Sequence, residues 1–158
     1  MAFSSKYMPN NSLEATYLRT TAVWYLKQFL GLPYRWGGDD AIEGFDCSGL
    51  VHEVLQGVGK EQRGFDSTAE NLYLSYKSNA VDKGYAGCLV FWYIQWQGEE
   101  RIIHVEMMID DKFCIGASGG GSKVNSLDDA VRENAFIKMN PINYRGGQYY
   151  ICDPFMVR

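Results

Sequence analysis

Cys47 has the sequence surroundings of a nucleophilic thiol. It follows Asp46 in the segment YRWGGDDAIEGFDCSGL, residues 34–50, and it precedes an apolar run with a helical period. Because Asp is a good helix cap, Cys47 is predicted to lie in the first turn of a helix, where unpaired N–H groups and the helix dipole favour a thiolate. The same N–H groups would stabilise the oxyanion of a tetrahedral intermediate. A cysteine that only packs in this turn is the alternative at this point.

A cysteine nucleophile needs a base within hydrogen-bond reach, and the chain has two histidines. His52 follows Cys47 on the same predicted helix, so at about 100° per residue its side chain points about 140° away from the thiol. His104 lies in the segment RIIHVEMMI, residues 101–109. Its pattern predicts a strand that presents the imidazole beside a helix end. His104 is therefore the predicted base, and a hydrogen-bonded core histidine is the alternative.

Three helices are predicted in the first half of the chain, and the second of them positions Cys47. Each combines apolar residues at a 3.6-residue period with a capping signal at its start. The helices are residues 12–30, with Asn11 and Glu14 as a capping box; a second from Cys47 to near Gly57 or Gly59; and a third that starts at the capping box of Ser67 and Glu70.

The second half of the chain predicts the sheet that would hold His104. Runs of β-branched and aromatic residues alternate with polar turns, which is typical of an antiparallel meander. The predicted elements are strands at residues 88–97, 101–109 and 112–117, a short helix at 126–133, and closing strands at 148–151 and 155–157. Helices followed by strands predict an α+β fold, with residues 1–158 as a single domain whose N-terminal helices pack on an antiparallel β-sheet.

Composition argues against several other functions. The formal net charge of -4 provides no basic field, so no nucleic-acid partner is expected. No apolar run approaches the roughly 20 residues of a membrane span. Residues 1–10 lack the pattern of a secretory signal, which predicts a chain that is cytoplasmic at synthesis. The four cysteines contain no C-x-x-C pair, so free thiols and no metal or other cofactor are expected.

Four segments, taken in order, resemble the NlpC-type family of cell-wall cysteine peptidases. They are YRWGG, GFDCSGLV, GCLVFW and HVEMMIDDKFCIGASGGG, and the resemblance runs from about Leu32 to Gly121. The D-C-S-G element after Y-x-W-G-G is highly specific. The resemblance implies a papain-like α+β fold and hydrolysis of amide bonds in peptidoglycan stem peptides, commonly between D-glutamate and a diamino acid, without a metal.

The resemblance also implies a role for individual residues. It assigns the nucleophile to Cys47 and the base to His104. Tyr34 would hold its hydroxyl beside the thiol, near the oxyanion or the bound stem peptide. Asp46 and Ser48 match positions that help to bind the amino end of the stem, where a carboxylate pairs with an ammonium group. Helix capping is the other role expected of Asp46, and the two roles are compatible.

Two departures from the family's pattern concern Gly116 and Cys88. The family usually orients its base with a polar residue, often His, on the next strand, and that position is Gly116 here. Glu106 shares the strand face of His104, so it is predicted as the third catalytic residue, which fixes the imidazole tautomer; an exposed strand glutamate is the alternative. Cys88 stands where the family usually has Asp and is expected to be structural. The Gly-rich residues 116–122 predict a loop that borders the cleft.

The predicted function is a peptidoglycan endopeptidase or amidase that works through a thioester on Cys47. Its partners would be stem peptides, and it would act at the bacterial cell wall. The lack of a visible export signal favours a phage or prophage lysis protein, a tail-associated hydrolase or a delivered effector. The alternative, suggested by Gly116, is a binding module of the same fold that has lost turnover. A structural metal site on Cys47 and His104 would need two further ligands that the sequence does not place nearby.

Overall fold

The computed structural model describes residues 12–157. Within this range the chain forms four α-helices, a short 3₁₀ turn and seven β-strands. The helices are α1 (Leu13–Lys27), α2 (Cys47–Gly57), α3 (Ala69–Tyr76) and α4 (Leu127–Glu133), and the 3₁₀ turn is Lys77–Asn79. The strands are β1 (Asp39–Asp40), β2 (Gly44–Phe45), β3 (Leu89–Trp96), β4 (Glu99–Met108), β5 (Phe113–Ser118), β6 (Phe136–Pro141) and β7 (Gln148–Cys152).

The five longer strands form one antiparallel sheet in the order β6-β5-β4-β3-β7. β1 and β2 form a separate small hairpin just before α2. The buried residues Leu50, Val54 and Leu55 of α2 share a core with Phe91 of β3 and Val105 of β4. This packing confirms the predicted α+β fold with N-terminal helices on an antiparallel sheet.

A second, smaller apolar cluster lies on the other face of the sheet. Leu89 and Phe91 of β3 belong to the main core, whereas Val90 and Trp92 belong to the smaller cluster. Since alternate residues of a strand point to opposite faces, the sheet is covered on both sides. The turn that joins β6 to β7 contributes Tyr144 to the smaller cluster.

The bounds of α1 differ from the predicted residues 12–30. The helix begins after its cap Ser12, whose hydroxyl accepts a hydrogen bond from the backbone N–H of Ala15 at 3.1 Å. It ends at Lys27. The predicted cap Asn11 lies outside the described residues.

The predicted capping box of Ser67 and Glu70 is wrong by one residue. Thr68 is the N-cap of α3, and its hydroxyl accepts a hydrogen bond from the backbone N–H of Asn71 at 3.2 Å. The Ser67 hydroxyl lies instead 2.9 Å from Nε2 of His52. The tertiary contact with His52 therefore occupies the side chain that the local pattern assigned to the cap.

The last strands of the chain also differ from the prediction. Residues 155–157 are not a strand, because the N–H of Phe155 donates to Oδ1 of Asp153 at 2.9 Å and a turn forms after β7. The sequence pattern does not predict β6, whose residues FIKMNP include Lys, Asn and Pro. β6 pairs with β5 at the edge of the sheet, where a proline is tolerated.

Candidate active site

Cys47 is the first residue of α2 and is partly exposed. Asp46 is the helix cap, and its Oδ1 accepts a hydrogen bond from the backbone N–H of Gly49 at 2.7 Å. Its Oδ2 accepts a second hydrogen bond from the N–H of Gly37 at 3.1 Å. The cap therefore holds the thiol in the first turn, where free N–H groups and the helix dipole favour a negative sulfur.

Glycines bring the preceding loop into close contact with α2. A Cβ atom on Gly49 would lie 2.1 Å from the carbonyl oxygen of Gly38, and one on Gly38 would lie 2.3 Å from the carbonyl oxygen of Gly44. No larger residue fits at these positions unless the backbone moves. The glycines of the Y-R-W-G-G and D-C-S-G segments therefore hold the loop that carries Tyr34 against the helix that carries Cys47.

His104 reaches the site from β4. It lies opposite Trp92 of β3, and the two ring centroids are 5.5 Å apart. The register shifts between Trp92 and Tyr93, so that Ile103 has no partner in β3. A bulge of this kind changes the direction of the neighbouring side chains. The imidazole is 6% exposed and is therefore held almost entirely by protein.

The side chains of Cys47 and His104 meet at the N-terminal end of α2. Burial lowers the pKa of His104, but the hydrogen bonds to Cys47 and Glu106 and the negative charges of these two groups raise it to about 9. The imidazole therefore keeps its proton at neutral pH when it faces a thiolate. Such a thiolate–imidazolium pair is the reactive form of a cysteine activated by histidine.

Glu106 lies directly behind the imidazole. It is fully buried, and its Oε1 lies 2.8 Å from Nε2 of His104, which leaves Nδ1 for Cys47. The hydroxyl of Tyr144 donates to the same carboxylate oxygen at 2.5 Å. Glu106 is thus a buried partner of His104, and the alternative of an exposed strand glutamate is wrong.

Tyr34 lies beside the thiol and the helix cap. Its burial and then the negative charges of Cys47 and Asp46 raise the pKa of Tyr34, so the phenol stays protonated. Gly120 leaves room for the ring, because a Cβ atom there would lie 2.3 Å from Cδ1 of Tyr34. The predicted loop at residues 116–122 begins only after β5, which includes the first three of these residues.

Asp46 and Ser48 both face the cleft, and their side chains are hydrogen-bonded to each other. The Ser48 hydroxyl donates to Oδ1 of Asp46 at 3.3 Å. Burial raises the pKa of Asp46, and the hydrogen bonds from Gly49, Ser48 and Gly37 act in the opposite direction. Oδ1 therefore caps α2 and Oδ2 binds the preceding loop, so a bond to a ligand would be additional.

An open cleft of about 490 Å³ leads to the thiol. Tyr34, Asp46, Cys47 and Ser48 all line it, so the structure brings together four of the six side chains predicted for the site. The other two, His104 and Glu106, lie behind Cys47 in the sheet. The opposite walls come from the start of α3 and from β4, through residues Thr68, Glu70, Arg101 and Ile103.

The other histidine and the other cysteines are used elsewhere. His52 is 2% exposed, with Nδ1 2.6 Å from Glu61 and Nε2 2.9 Å from Ser67, so both of its ring nitrogens have partners. All four cysteines are free thiols, as predicted. Burial raises the pKa of Cys88 to about 12, which keeps this thiol protonated.

A model of the NlpC/P60 family matches residues 31–140, which is well over half of the chain. The chain belongs to the NlpC/P60 family. The match contains all six predicted site residues and confirms the resemblance seen in the sequence, whereas Tyr144 lies just outside it.

Relatives of this NlpC/P60 chain are named as peptidases. It is 37% identical over 87 residues to a gamma-D-glutamyl-L-lysine dipeptidyl-peptidase of Bacillus cereus, which covers 54% of this chain and 24% of the relative. It is 36% identical over 75 residues to the murein DD-endopeptidase MepH of Escherichia coli, which covers 46% of this chain and 27% of that protein. The chain spans about a quarter of the length of these relatives.

Solved structures of NlpC/P60 proteins share the fold. A family member from Bacillus cereus superposes with a TM-score of 0.67 at 26% identity, covering 88% of this chain and 40% of that one. The peptidoglycan hydrolase RipB of Mycobacterium tuberculosis superposes with a TM-score of 0.64 at 19% identity, covering 100% of this chain and 74% of that one. The second likeness shows the fold alone.

Sequence reasoning about this NlpC/P60 chain missed several residues of the site. Arg101 could have been found, because it lies on the same predicted strand as His104 and close to it. Thr68 and Glu70 reach the cleft through the packing of α3, which no local pattern reveals. Tyr144 meets Glu106 from a distant turn and carries no local signal at all.

Two findings concern membranes and metals. Among residues 12–157, no helix combines the length and the apolar character needed to cross a membrane. In the same range, no three His, Cys, Asp or Glu side chains come together as a metal site would require.

Proposed function

We propose that this chain is a cysteine peptidase that hydrolyses amide bonds in the stem peptides of peptidoglycan. The observation that carries the proposal is the contact between Cys47, at the start of α2 and open to a cleft, and His104, whose pKa is raised to about 9 by Cys47 and Glu106. The names of the curated relatives support the substrate class. We also propose that residues 1–158 form a single catalytic domain.

The reaction would proceed by acyl transfer. The Cys47 thiolate attacks the scissile carbonyl, and the first-turn N–H groups of α2 stabilise the oxyanion. The His104 imidazolium gives its proton to the departing amine, which leaves a thioester on Cys47. The neutral imidazole then takes a proton from water, whose attack releases the carboxylic acid and restores the thiolate.

The bond between D-glutamate and a diamino acid is the proposed point of cleavage. One relative is named as a gamma-D-glutamyl-L-lysine dipeptidyl-peptidase, which supports this choice. Asp46 and Ser48 would bind the amino end of the stem, and Tyr34 would donate a hydrogen bond to the oxyanion or to the bound peptide. The protein would act at the bacterial cell wall as a phage, prophage or delivered lytic enzyme.

Replacement of Cys47 tests the proposal directly. Cys47→Ala should abolish the release of stem-peptide fragments from purified sacculi, with the melting temperature unchanged. Cys88→Ala is the matched control, because it removes a buried thiol outside the site and should keep the activity. Mass spectrometry of the released muropeptides identifies the bond that is cut. Retained activity in Cys47→Ala would remove the proposal.

The rival function is a stem-peptide binding module without turnover. Its motivation is Gly116, which occupies the position of the usual orienting residue. The contact of His104 with Glu106 supplies a polar partner and so favours the enzyme. A wild-type protein that binds sacculi but releases no fragments would favour the binding module.

A further inference from the structure

Glu106 and Gly116 compete for one space between β4 and β5. A Cβ atom on Gly116 would lie 2.2 Å from Cγ and 2.7 Å from Cδ of Glu106. Real Cβ atoms essentially never come this close, so Glu106 can hold its observed conformation only because residue 116 has no side chain. The glycine at the family's orienting position is therefore coupled to the acid on the neighbouring strand.

We propose that the group which orients His104 has moved from β5 to β4 in this protein, where Gly116 makes space for Glu106 and Tyr144 holds Glu106 in place. Glu106 and Tyr144 are positioning residues, since they act on Cys47 only through His104. The inference rests on the proposed cysteine peptidase function. It adds to that function the two residues, Glu106 and Tyr144, that replace the polar residue with which the family usually orients its catalytic histidine.

The position of Glu106 suits this role better than a role in packing. It is 0% exposed, its Oε1 contacts His104 and Tyr144, and the buried thiol of Cys114 also faces the carboxylate. Full burial of a carboxylate is costly, so a group placed in this way calls for an explanation, and orientation of the imidazole provides one. The pairing of β4 with β5 covers Met107–Ile115 and Met108–Cys114 and stops just before Glu106.

Tyr144 is held in place by its own surroundings. It lies in the turn between β6 and β7, and its backbone N–H donates to the carbonyl of Pro141 at 2.9 Å. The guanidinium of Arg145 lies over both rings, 5.9 Å from the centroid of Tyr144 and 5.7 Å from the centroid of Trp92. Burial and the negative charge of Glu106 raise the pKa of Tyr144, so its hydroxyl remains a donor.

The groups around Glu106 explain how it acts on the base. His104 donates from Nε2, which fixes the tautomer and turns Nδ1 toward Cys47. The Tyr144 hydroxyl donates to the same oxygen and fixes the direction of the carboxylate. The buried thiol of Cys114 is the other titratable group that faces Glu106, and burial followed by the charge of Glu106 raises its pKa.

Kinetics of two variants test the inference. Glu106→Gln should lower kcat by roughly 10²- to 10⁴-fold, and Tyr144→Phe should lower it about three- to tenfold, because one of two charge-assisted hydrogen bonds is lost. KM for a soluble stem peptide should change little in both. Tyr25→Phe is the matched control, since it removes a Tyr–Glu hydrogen bond of 2.6 Å, to Glu53, far from His104. Glu106→Gln kinetics equal to those of the control would overturn the inference.

The shared space is tested by a double-mutant cycle. Gly116→Ala should lower kcat in the wild-type background, because the added methyl group displaces Glu106. In the Glu106→Gly background the same change should have no further effect on kcat. Equal effects in the two backgrounds would show that the positions act separately, and would overturn the inference.

A titration of the His104 ring by NMR separates this inference from the proposed function. In Glu106→Gln the midpoint should move to lower pH than in the wild type, because the negative charge that raises the pKa of His104 is removed, and in Tyr25→Phe it should stay unchanged. This readout needs no turnover. A shifted midpoint in a protein that releases no muropeptide would sink the peptidase function and keep the inference, whereas an unshifted midpoint in Glu106→Gln would sink the inference alone.

Discussion

Two clusters in this molecule have the same order of contacts around a buried histidine. In each, one ring nitrogen faces a nucleophilic side chain, the other meets a glutamate, and a tyrosine hydroxyl donates to that glutamate. The two clusters are Cys47, His104, Glu106 and Tyr144 near the cleft, and Ser67, His52, Glu61 and Tyr76 between α2 and α3.

The clusters differ in where the nucleophilic side chain lies. Cys47 opens α2, where the helix N-terminus favours its negative form, and it faces a cleft of about 490 Å³. Ser67 lies in the loop before α3, and the cavity beside His52 holds only about 50 Å³. A histidine–glutamate pair is thus a common way to satisfy a buried imidazole. The placement of the nucleophile and access for a substrate are what point to catalysis.

The strongest test of this contrast replaces each of the two histidines with alanine and compares the effects. His104→Ala should lower kcat by about 10²- to 10⁴-fold, because the proton donor and acceptor is lost. His52→Ala should keep kcat near the wild-type value but lower the free energy of unfolding by about 2–4 kcal/mol, because Glu61 and Ser67 lose their buried partner. Steady-state kinetics and urea denaturation measure the two effects.

The wild-type protein and Tyr25→Phe provide the reference for both measurements. The contrast fails if His52→Ala, in its folded fraction, loses as much kcat as His104→Ala. It also fails if His104→Ala keeps full activity, because the base would then lie elsewhere.

The second test concerns the charge of His104, which determines the alkaline limit of activity. Its pKa is raised from 6.5 to about 9, so the imidazolium form persists through neutral pH. The pairing therefore contributes fully to stability below about 6.5 and is lost as pH rises through about 9. We expect kcat/KM to fall as pH rises through about 9, and His52→Ala to show the same limit. A limit near the ordinary histidine value would contradict the assigned pairing.

The contrast also explains which parts of the site follow from sequence. Cys47 and His104 were predicted because each depends on a local pattern, a capped helix start and an apolar strand. Glu106 followed from the two-residue period of β4. Its dependence on Gly116 requires the spacing between two strands, and Tyr144 requires the path of a distant turn, so neither has a local signal.

The same distinction applies to the fold. The helices and the central strands have strong periodic patterns and were predicted to within a few residues. β6 has a weak pattern and becomes a strand through its pairing with β5. At the start of α3, Ser67 and Thr68 both have a hydroxyl group that could cap the helix. The Ser67 hydroxyl is hydrogen-bonded to His52, and Thr68 is the cap. Tertiary contacts therefore settle what local propensity leaves open.

The smallest expected effect comes from Ser67, and it tests whether the second cluster is only structural. Ser67→Ala should lower the free energy of unfolding by about 1 kcal/mol, since Nε2 of His52 loses a hydrogen-bond partner at 2.9 Å. Activity on stem peptides should not change.

The decisive background is Cys47→Ala, in which no hydrolysis of stem peptides or of simple esters should remain. Residual hydrolysis there that Ser67→Ala removes would mean that the serine cluster is itself reactive, because a serine activated by histidine and glutamate is a known nucleophile. If no residual hydrolysis is found in Cys47→Ala, the polar contacts of the Ser67 cluster, which lacks a helix terminus and an open cleft, do not support catalysis.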